Sequence, residues 1–179
     1  IVSTFGKYPA ADGKSIYELS KELGLTMAET AALVTEKTGA DCSCISFTMS
    51  EEDVNYLLSQ PDLAIGSDGY AYSLDPAKNS GKPHPRSFGT FPRFLRLARE
   101  KALCPLGVAV RRITGLSAEM MGIENRGKLT PGFAADITVF DWQTVTDKAE
   151  YDDPFKAPQG ILHVIMEGEF ALRDGCQTL

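Results

Sequence analysis

The sequence predicts an α/β fold with a smaller all-β part at its end. Helix-like and strand-like segments alternate between residues 14 and 67, which is the rhythm of a parallel sheet or barrel. From Gly127 onward, strand-like runs follow one another through tight turns, with no helices between them. We therefore predict a boundary between the two parts near residues 116–127.

Two helices are predicted first. Residues 14–24 place apolar side chains on one helical face and end at Gly24, a typical helix stop. Thr26 and Glu29 have the spacing of a capping box, which predicts a second helix running to Gly39.

A strand, a helix and a second strand are predicted next. Residues 42–49 alternate and are rich in β-forming types. Ser50 and the acidic residues after it predict a helix through Leu58. The short apolar run at residues 63–67 is typical of a buried parallel strand.

The segment after a long loop predicts three helical pieces. Residues 91–102 and 105–115 are amphipathic and basic, with Gly115 as a stop, and residues 117–122 form a third, shorter piece. We expect the arginines of this region to form a solvated basic face: Arg93, Arg96, Arg99, Arg111 and Arg112.

The final part predicts β-structure. Residues 135–141 form one strand, and residues 161–175 form a hairpin that turns at Glu167-Gly168-Glu169. His163 lies inside the hairpin's apolar run and is predicted to be a hydrogen-bonded sheet residue.

Composition excludes several classes of function. A net charge of −6 without a basic stripe argues against nucleic-acid binding. No apolar run reaches the roughly 18 residues of a membrane span, so we expect a cytoplasmic protein with no membrane partner. The four cysteines and two histidines lack zinc-knuckle spacing, and reduced thiols are the expectation.

Asp68 is the first candidate for chemistry. It follows the predicted strand at residues 63–67 directly, and catalytic side chains of parallel α/β folds project from such strand ends. Gly69 beside it could relax the backbone. An Asx-turn or a helix cap explains the same residue equally well.

His84 and Arg86 are placed by two prolines, with Pro83 before His84 and Pro85 between His84 and Arg86. The planar fork of an arginine binds a carboxylate bidentately, so Arg86 beside a catalytic carboxylate would suit an anionic substrate. The alternative is an arginine that only ties the loop to a surface carboxylate. A Ser67, His84 and Asp68 triad is disfavoured because adjacent residues on a strand point opposite ways.

Several runs of the sequence resemble one family. They are IGSDG, HPRSFGTFPRFL and AVRRITGLSAEMMGIENRGKLTPGFAADITVFD, with similarity extending from MSEEDV to GILHVIMEGEFALRDG. These runs resemble the C-terminal part of the N-acyl-D-amino-acid deacylases (D-aminoacylases) of the metal-dependent amidohydrolase superfamily. SDG and HPR-x-x-GTFPR are specific to that branch.

The resemblance implies a TIM-like barrel joined to a small β-sandwich. Residues 1–115 would be the C-terminal portion of the barrel, and residues 116–179 the C-terminal strands of the sandwich. Because the chain starts abruptly at Ile1, we expect it to be part of a longer protein and to be inactive alone. Its partners would be the rest of the barrel, and open strand edges would favour self-association.

The resemblance also implies roles for two residues. Asp68 would touch a zinc centre and handle the proton of the attacking water, and Arg86 would hold the substrate α-carboxylate. The resemblance carries no role over to His84, and we expect this residue to position Arg86. The family's H-x-H pair, its other histidine ligands and its bridging cysteine are not matched in this chain, so most metal ligands are expected outside it.

Three functions follow from this sequence. The first is zinc-dependent cleavage of N-acyl-D-amino acids to a carboxylate and a D-amino acid. The second is hydrolysis of a cyclic amide such as a hydantoin or dihydropyrimidine. The third is a non-catalytic scaffold.

Overall fold

Two units, interleaved along the sequence, make up the computed structural model, which describes residues 1–79 and 81–178. The first unit contains Ile1–Thr48, Gly69–Ser87 and Ala149–Lys156. The second contains Met49–Asp68, Phe88–Lys148 and residues 157–178. Ser80, in the predicted long loop, and Leu179, at the end of the predicted sandwich strands, lie outside the described residues. The predicted division at residues 115 and 116 stays a prediction.

The first unit contains the two predicted N-terminal helices, α1 (Ile16–Leu23) and α2 (Met27–Thr38). Both begin with a capping box. In α1, the Glu18 N–H donates to Ser15 Oγ at 3.1 Å, and the Glu18 carboxylate accepts the Ser15 N–H at 2.8 Å. The Ser15 N–H and the Ser15 hydroxyl both donate to this carboxylate and hold the pKa of Glu18 below its ordinary value. A left-handed glycine ends each helix, so the predicted Thr26 capping box and the two glycine stops are confirmed, whereas the Ser15 capping box was not predicted.

A short ladder joins β1 (Val2–Ser3) to β2 (Ser43–Cys44) in the first unit. The strand prediction for residues 42–49 is therefore wrong outside β2. Beyond the ladder, the Ile45 N–H donates to the Ile1 carbonyl at 2.8 Å, and residues 46–49 form no strand among the described residues. The core of this unit consists of Val2, Ala11, Leu19 and Val34.

The second unit begins with α3 (Glu51–Ser59), capped by Ser50 as predicted. Among the described residues, residues 63–67 pair with no strand, so the strand predicted for this segment is wrong. Its backbone bonds instead to a helix residue. The Leu63 carbonyl accepts from Arg112 Nε at 2.7 Å, and the Ile65 N–H donates to the Arg112 carbonyl at 3.1 Å.

Three helices follow, and their bounds differ from the predicted ones. α4 (Arg86–Glu100) begins five residues before the predicted start and contains Pro92. α5 (Leu106–Ile113) follows Pro105 as expected, but Gly115 begins α6 (Gly115–Met120) and does not serve as a stop. A Cβ on this glycine would lie 3.2 Å from the Gly127 carbonyl, so close packing explains it.

The predicted solvated basic face is only partly correct. Arg93 and Arg111 are exposed, and Arg96 and Arg99 are half-buried. Arg112 is fully buried, and the prediction for it is wrong. Its guanidinium donates to backbone carbonyls that precede it by about fifty residues in the sequence, and this replaces hydration by water.

Four antiparallel strands form the sheet of the second unit, in the order β3, β4, β5 and β6. They are β3 (Ile137–Phe140), β4 (Ile161–Met166), β5 (Glu169–Arg173) and β6 (Cys176–Gln177). The predicted strand and hairpin are confirmed, with Glu167 and Gly168 both at positive φ in the turn. His163 Nδ1 accepts the Asp174 N–H at 3.1 Å, which confirms its sheet role. β6 was not predicted.

The α/β fold class is confirmed by this mixture of six helices and a small antiparallel sheet among the described residues. The core of the second unit joins Phe94, Leu95, Ala98, Ala109 and Val145. In the described part of the chain, no helix is both long enough and apolar enough to cross a membrane.

Candidate functional site

Asp68 lies at the end of the segment that Arg112 holds. It is exposed, and its φ of 47° lies in the left-handed region, which aspartate tolerates better than most residues. Left-handed backbone at a non-glycine residue is common at functional sites and is compatible with a positioned carboxylate.

Gly69 follows Asp68, and its role differs from the one predicted. Its φ does not lie in the left-handed region. A Cβ at this position would lie 2.9 Å from the Cα of Ser87, closer than side chains approach backbone in folded proteins. The Tyr70 N–H donates to Ser87 Oγ at 3.3 Å. Glycine is thus required for the close approach of two backbone segments within the first unit.

His84 and Arg86 lie at the start of α4. The Arg86 N–H donates to His84 Nδ1 at 3.0 Å, and the Ser87 N–H donates to the His84 carbonyl at 3.1 Å. These two N–H groups belong to the first turn, which leaves its donors without partners inside the helix. His84 therefore caps α4.

The surroundings of His84 restrict its ring further. Pro83 and Pro85 on either side are both buried. The ring lies edge-to-face with Tyr151, with 5.1 Å between centroids, and Tyr151 packs in the same way on Phe47 at 4.9 Å. A histidine held through Nδ1 and its ring edge is suited to fixing the direction in which α4 begins.

A cleft of about 450 Å³ opens beside these residues, entirely within the first unit. Two cationic side chains line it, those of Lys82 and Arg86, and hydroxyl groups of tyrosine and serine surround them. None of the described residues that line it is a carboxylate. The cleft is therefore chemically suited to an anion. Its polar lining residues include Tyr70, Tyr72, Lys82, His84, Arg86 and Ser87.

The structure thus brings two of the three predicted site residues together. His84 and Arg86 share the cleft, whereas Asp68 belongs to the second unit, and one site formed by all three stays a prediction. Lys82 was missed, although its place two residues before His84, beside Pro83, was a signal. Tyr70 and Tyr72 were missed because only folding of the long loop brings them to the cleft.

Metal-ligating side chains are sparse. In the part of the chain that the structure describes, no three histidine, cysteine, aspartate or glutamate residues group closely enough to hold a metal ion. The four cysteines are free thiols. Asp68 carries an oxygen donor of a type that zinc accepts, but it would be one ligand of a set.

Sequence comparison matches residues 53–171, about two thirds of the chain, to the amidohydrolase family. The chain is 38% identical over 162 residues to the N-acyl-D-aspartate deacylase of Alcaligenes xylosoxydans xylosoxydans, covering 90% of this chain and 30% of that protein. It is 36% identical over 169 residues to the D-aminoacylase of the same organism, covering 94% and 32%.

Structural comparison gives the same result. The crystal structure of a D-aminoacylase matches with a TM-score of 0.81 and 35% identity, over 96% of this chain and 34% of that one. The N-acyl-D-glutamate deacylase of Bordetella bronchiseptica, complexed with zinc and a phosphonate inhibitor that mimics the tetrahedral intermediate, matches with a TM-score of 0.80 and 33% identity. That match covers 95% of this chain and 34% of the deacylase.

This chain spans about a third of the length of these relatives. The similarity to N-acyl-D-amino-acid deacylases predicted from the IGSDG and HPR runs is confirmed by both comparisons. With the family match extending over more than half of its residues, the chain belongs to the amidohydrolase family.

Proposed function

We propose that the protein containing this chain hydrolyses N-acyl-D-amino acids to a carboxylate and a free D-amino acid. The observation that carries the proposal is the 36–38% identity, over nearly the whole chain, to three deacylases of this kind. The cationic cleft in the first unit supports it, because every N-acyl amino acid carries an α-carboxylate.

Arg86 is the proposed clamp for that carboxylate. Its side chain is exposed and lines the cleft. A guanidinium presents two parallel N–H donors to the two carboxylate oxygens, a geometry that the ammonium of lysine does not offer. His84, bonded to the Arg86 N–H, positions the first turn of α4 and with it the base of this side chain.

Asp68 is the proposed proton-transfer residue. Its carboxylate would accept a proton from the water that attacks the amide carbon and then deliver that proton to the leaving amine nitrogen. General acid–base catalysis of this type contributes about 10²- to 10⁴-fold to the rate. Asp68 is exposed among the described residues.

Zinc is the proposed cofactor. A bound zinc ion lowers the pKa of its water and polarises the scissile carbonyl. The related deacylase from Bordetella bronchiseptica was crystallised with zinc, and a D-aminoacylase has been described with a binuclear metal centre. Asp68 would supply one oxygen ligand, and residues outside this chain would supply most of the others.

The proposal extends to architecture and location. Residues 1–115 would complete a TIM-like barrel with the rest of a longer chain, and residues 116–179 would add strands to a β-sandwich. Large apolar side chains that remain exposed here, including Met49, Tyr56 and Leu129, are consistent with further contacts of that kind or with self-association. We propose a cytoplasmic location.

A substrate panel tests the function. The full-length protein, loaded with zinc, would be assayed for release of free amine from N-acetyl-D-amino acids, from their L-enantiomers and from hydantoins. We expect turnover of D-substrates that disappears on chelation and returns with zinc. Turnover of hydantoins alone would replace the proposal with a cyclic amidohydrolase, and no turnover of any substrate would favour a scaffold.

A further inference from the structure

We infer that Arg112 is a positioning residue for Asp68, an inference that rests on the proposed role of Asp68. Arg112 is 0% exposed and is the largest fully buried side chain of the described residues. Removing a guanidinium from water is costly unless its donors find acceptors, so its partners indicate what it holds in place.

All of its recorded hydrogen-bond acceptors are backbone carbonyls. Nε donates to the Leu63 carbonyl at 2.7 Å, and the two terminal nitrogens donate to the Leu58 carbonyl and, at 3.5 Å, to the Leu57 carbonyl. Leu57 and Leu58 belong to the last turn of α3, where the regular pattern of helix hydrogen bonds ends, and the Leu57 carbonyl also accepts the Gln60 N–H at 3.2 Å. The guanidinium therefore joins the end of α3 to the segment that leads to Asp68.

The main chain of Arg112 adds a second attachment. Its carbonyl accepts the Ile65 N–H at 3.1 Å, so side chain and backbone together fix residues 63 and 65. Among the described residues, this segment pairs with no strand. Asp68 lies three residues after Ile65, within about 10 Å of extended chain.

The orientation of the guanidinium is itself fixed. Its central carbon lies 4.8 Å from the centre of the Phe94 ring, a cation–π contact in the core of the second unit. A planar guanidinium packed on an aromatic ring can donate hydrogen bonds to three carbonyls in fixed directions. Lysine carries the same charge but cannot reproduce that geometry.

Arg112→Lys in the full-length protein tests the inference, with Arg111→Lys as the matched control. Arg111 is the exposed neighbour, and its recorded ion pair is with Glu119 at 3.9 Å. Misplacing a catalytic group by about 1 Å can cost about 100-fold in rate. We expect Arg112→Lys to lower kcat about 10- to 100-fold with KM nearly unchanged. Arg111→Lys should leave both constants unchanged, and an unchanged kcat in Arg112→Lys would overturn the inference.

A double-mutant cycle separates positioning from a general structural defect. If Arg112 acts through Asp68, Arg112→Lys should change the residual activity of Asp68→Ala by less than about twofold. An equal loss of kcat in both backgrounds would contradict the inference. Should Arg112→Lys not fold, Phe94→Leu removes the supporting ring, and the same cycle with Asp68→Ala decides the question.

Amide hydrogen exchange tests the inference without relying on the proposed activity. In Arg112→Lys, exchange should accelerate at residues 63–68, including the Ile65 N–H, while α4 stays protected. If the wild-type protein shows no deacylase activity, or if Asp68→Ala stays active, the proposed function fails and exchange alone decides the structural part. Unchanged exchange at residues 63–68 would refute that part.

Discussion

The two glycines on either side of Asp68 should respond in opposite ways to the same added methyl group. Neither has a φ in the left-handed region, so an alanine is not strained there by its backbone alone. A Cβ at Gly66 would meet nothing within 4 Å, whereas a Cβ at Gly69 would lie 2.9 Å from Ser87 Cα, 3.2 Å from its Oγ and 3.3 Å from its N.

The size of the effect follows from these distances. Ordinary contact starts near 3.4 Å, so the methyl group of Gly69→Ala must push the Ser87 backbone away by at least about 0.5 Å. Forcing an extra methyl into a tight site costs about 1–3 kcal/mol. Gly66→Ala should instead stabilise by up to about 1 kcal/mol, because alanine restricts the unfolded chain.

Urea unfolding of the full-length variants measures the difference. We expect a lower midpoint for Gly69→Ala with an unchanged slope, and a midpoint at or above wild type for Gly66→Ala. Adding Ser87→Ala to Gly69→Ala should not restore stability, because the closest atom is the Ser87 Cα, which that change keeps. Equal midpoints for the two glycine variants would refute the close approach of Gly69 and Ser87.

Three further predictions concern the clamp, a glycine and a carboxylate. Arg86→Lys should raise KM for N-acyl-D-amino acids about 10-fold or more with a smaller change in kcat, because the variant loses a charged bidentate contact. An unchanged kcat/KM would remove the proposed role of Arg86. Gly160→Ala should destabilise by about 2–5 kcal/mol in urea unfolding, because its φ is 82° and a Cβ would lie 2.6 Å from backbone atoms; a wild-type midpoint would show that this packing is wrong. The pKa of Asp141 lies below its ordinary value of 3.8, because its carboxylate accepts the Gln143 N–H and the Thr144 hydroxyl. Because its folded-state pKa is lowered, ionised Asp141 stabilises the folded protein above pH 4, and this contribution is lost as the pH falls through the folded value. The difference in unfolding free energy between wild type and Asp141→Asn should therefore shrink in acid unfolding below pH 4. A constant difference would contradict this prediction.

The sequence predicted local features well because their causes lie within a few residues. The capping box of α2 needs only Thr26 and Glu29, and the hairpin turn needs only Glu167 and Gly168. Each of these two features depends only on a side chain or a backbone conformation and on the residues next to it in the sequence.

Features that depend on distant partners were missed. Arg112 shares its helix with the exposed Arg111, and nothing local shows that its acceptors lie 49 to 55 residues earlier. The apolar run at residues 63–67 likewise gives no sign that its backbone bonds to a helix residue and not to a strand. An apolar run reports burial, and the hydrogen-bond partner has to be learned from the fold.

The residues of the candidate site show the same contrast between local and distant causes. Pro83 and Pro85 predicted that the loop places His84 and Arg86 rigidly, and the bond from the Arg86 N–H to His84 Nδ1 is compatible with the proposed positioning role of the histidine. Tyr70 and Tyr72 join the cleft through folding of the long loop, which sequence spacing does not reveal. The joint action of Asp68 with this cleft stays a prediction.

Asp68→Ala in the full-length, zinc-loaded protein tests the central claim most directly. The steady-state turnover of N-acetyl-D-amino acids and the zinc content of the purified variant would be measured side by side, with wild type as the reference. The account predicts a loss of kcat of about 10²- to 10⁴-fold, with most of the zinc retained, because other residues would hold most of the ligands. Near-wild-type turnover by Asp68→Ala would contradict it.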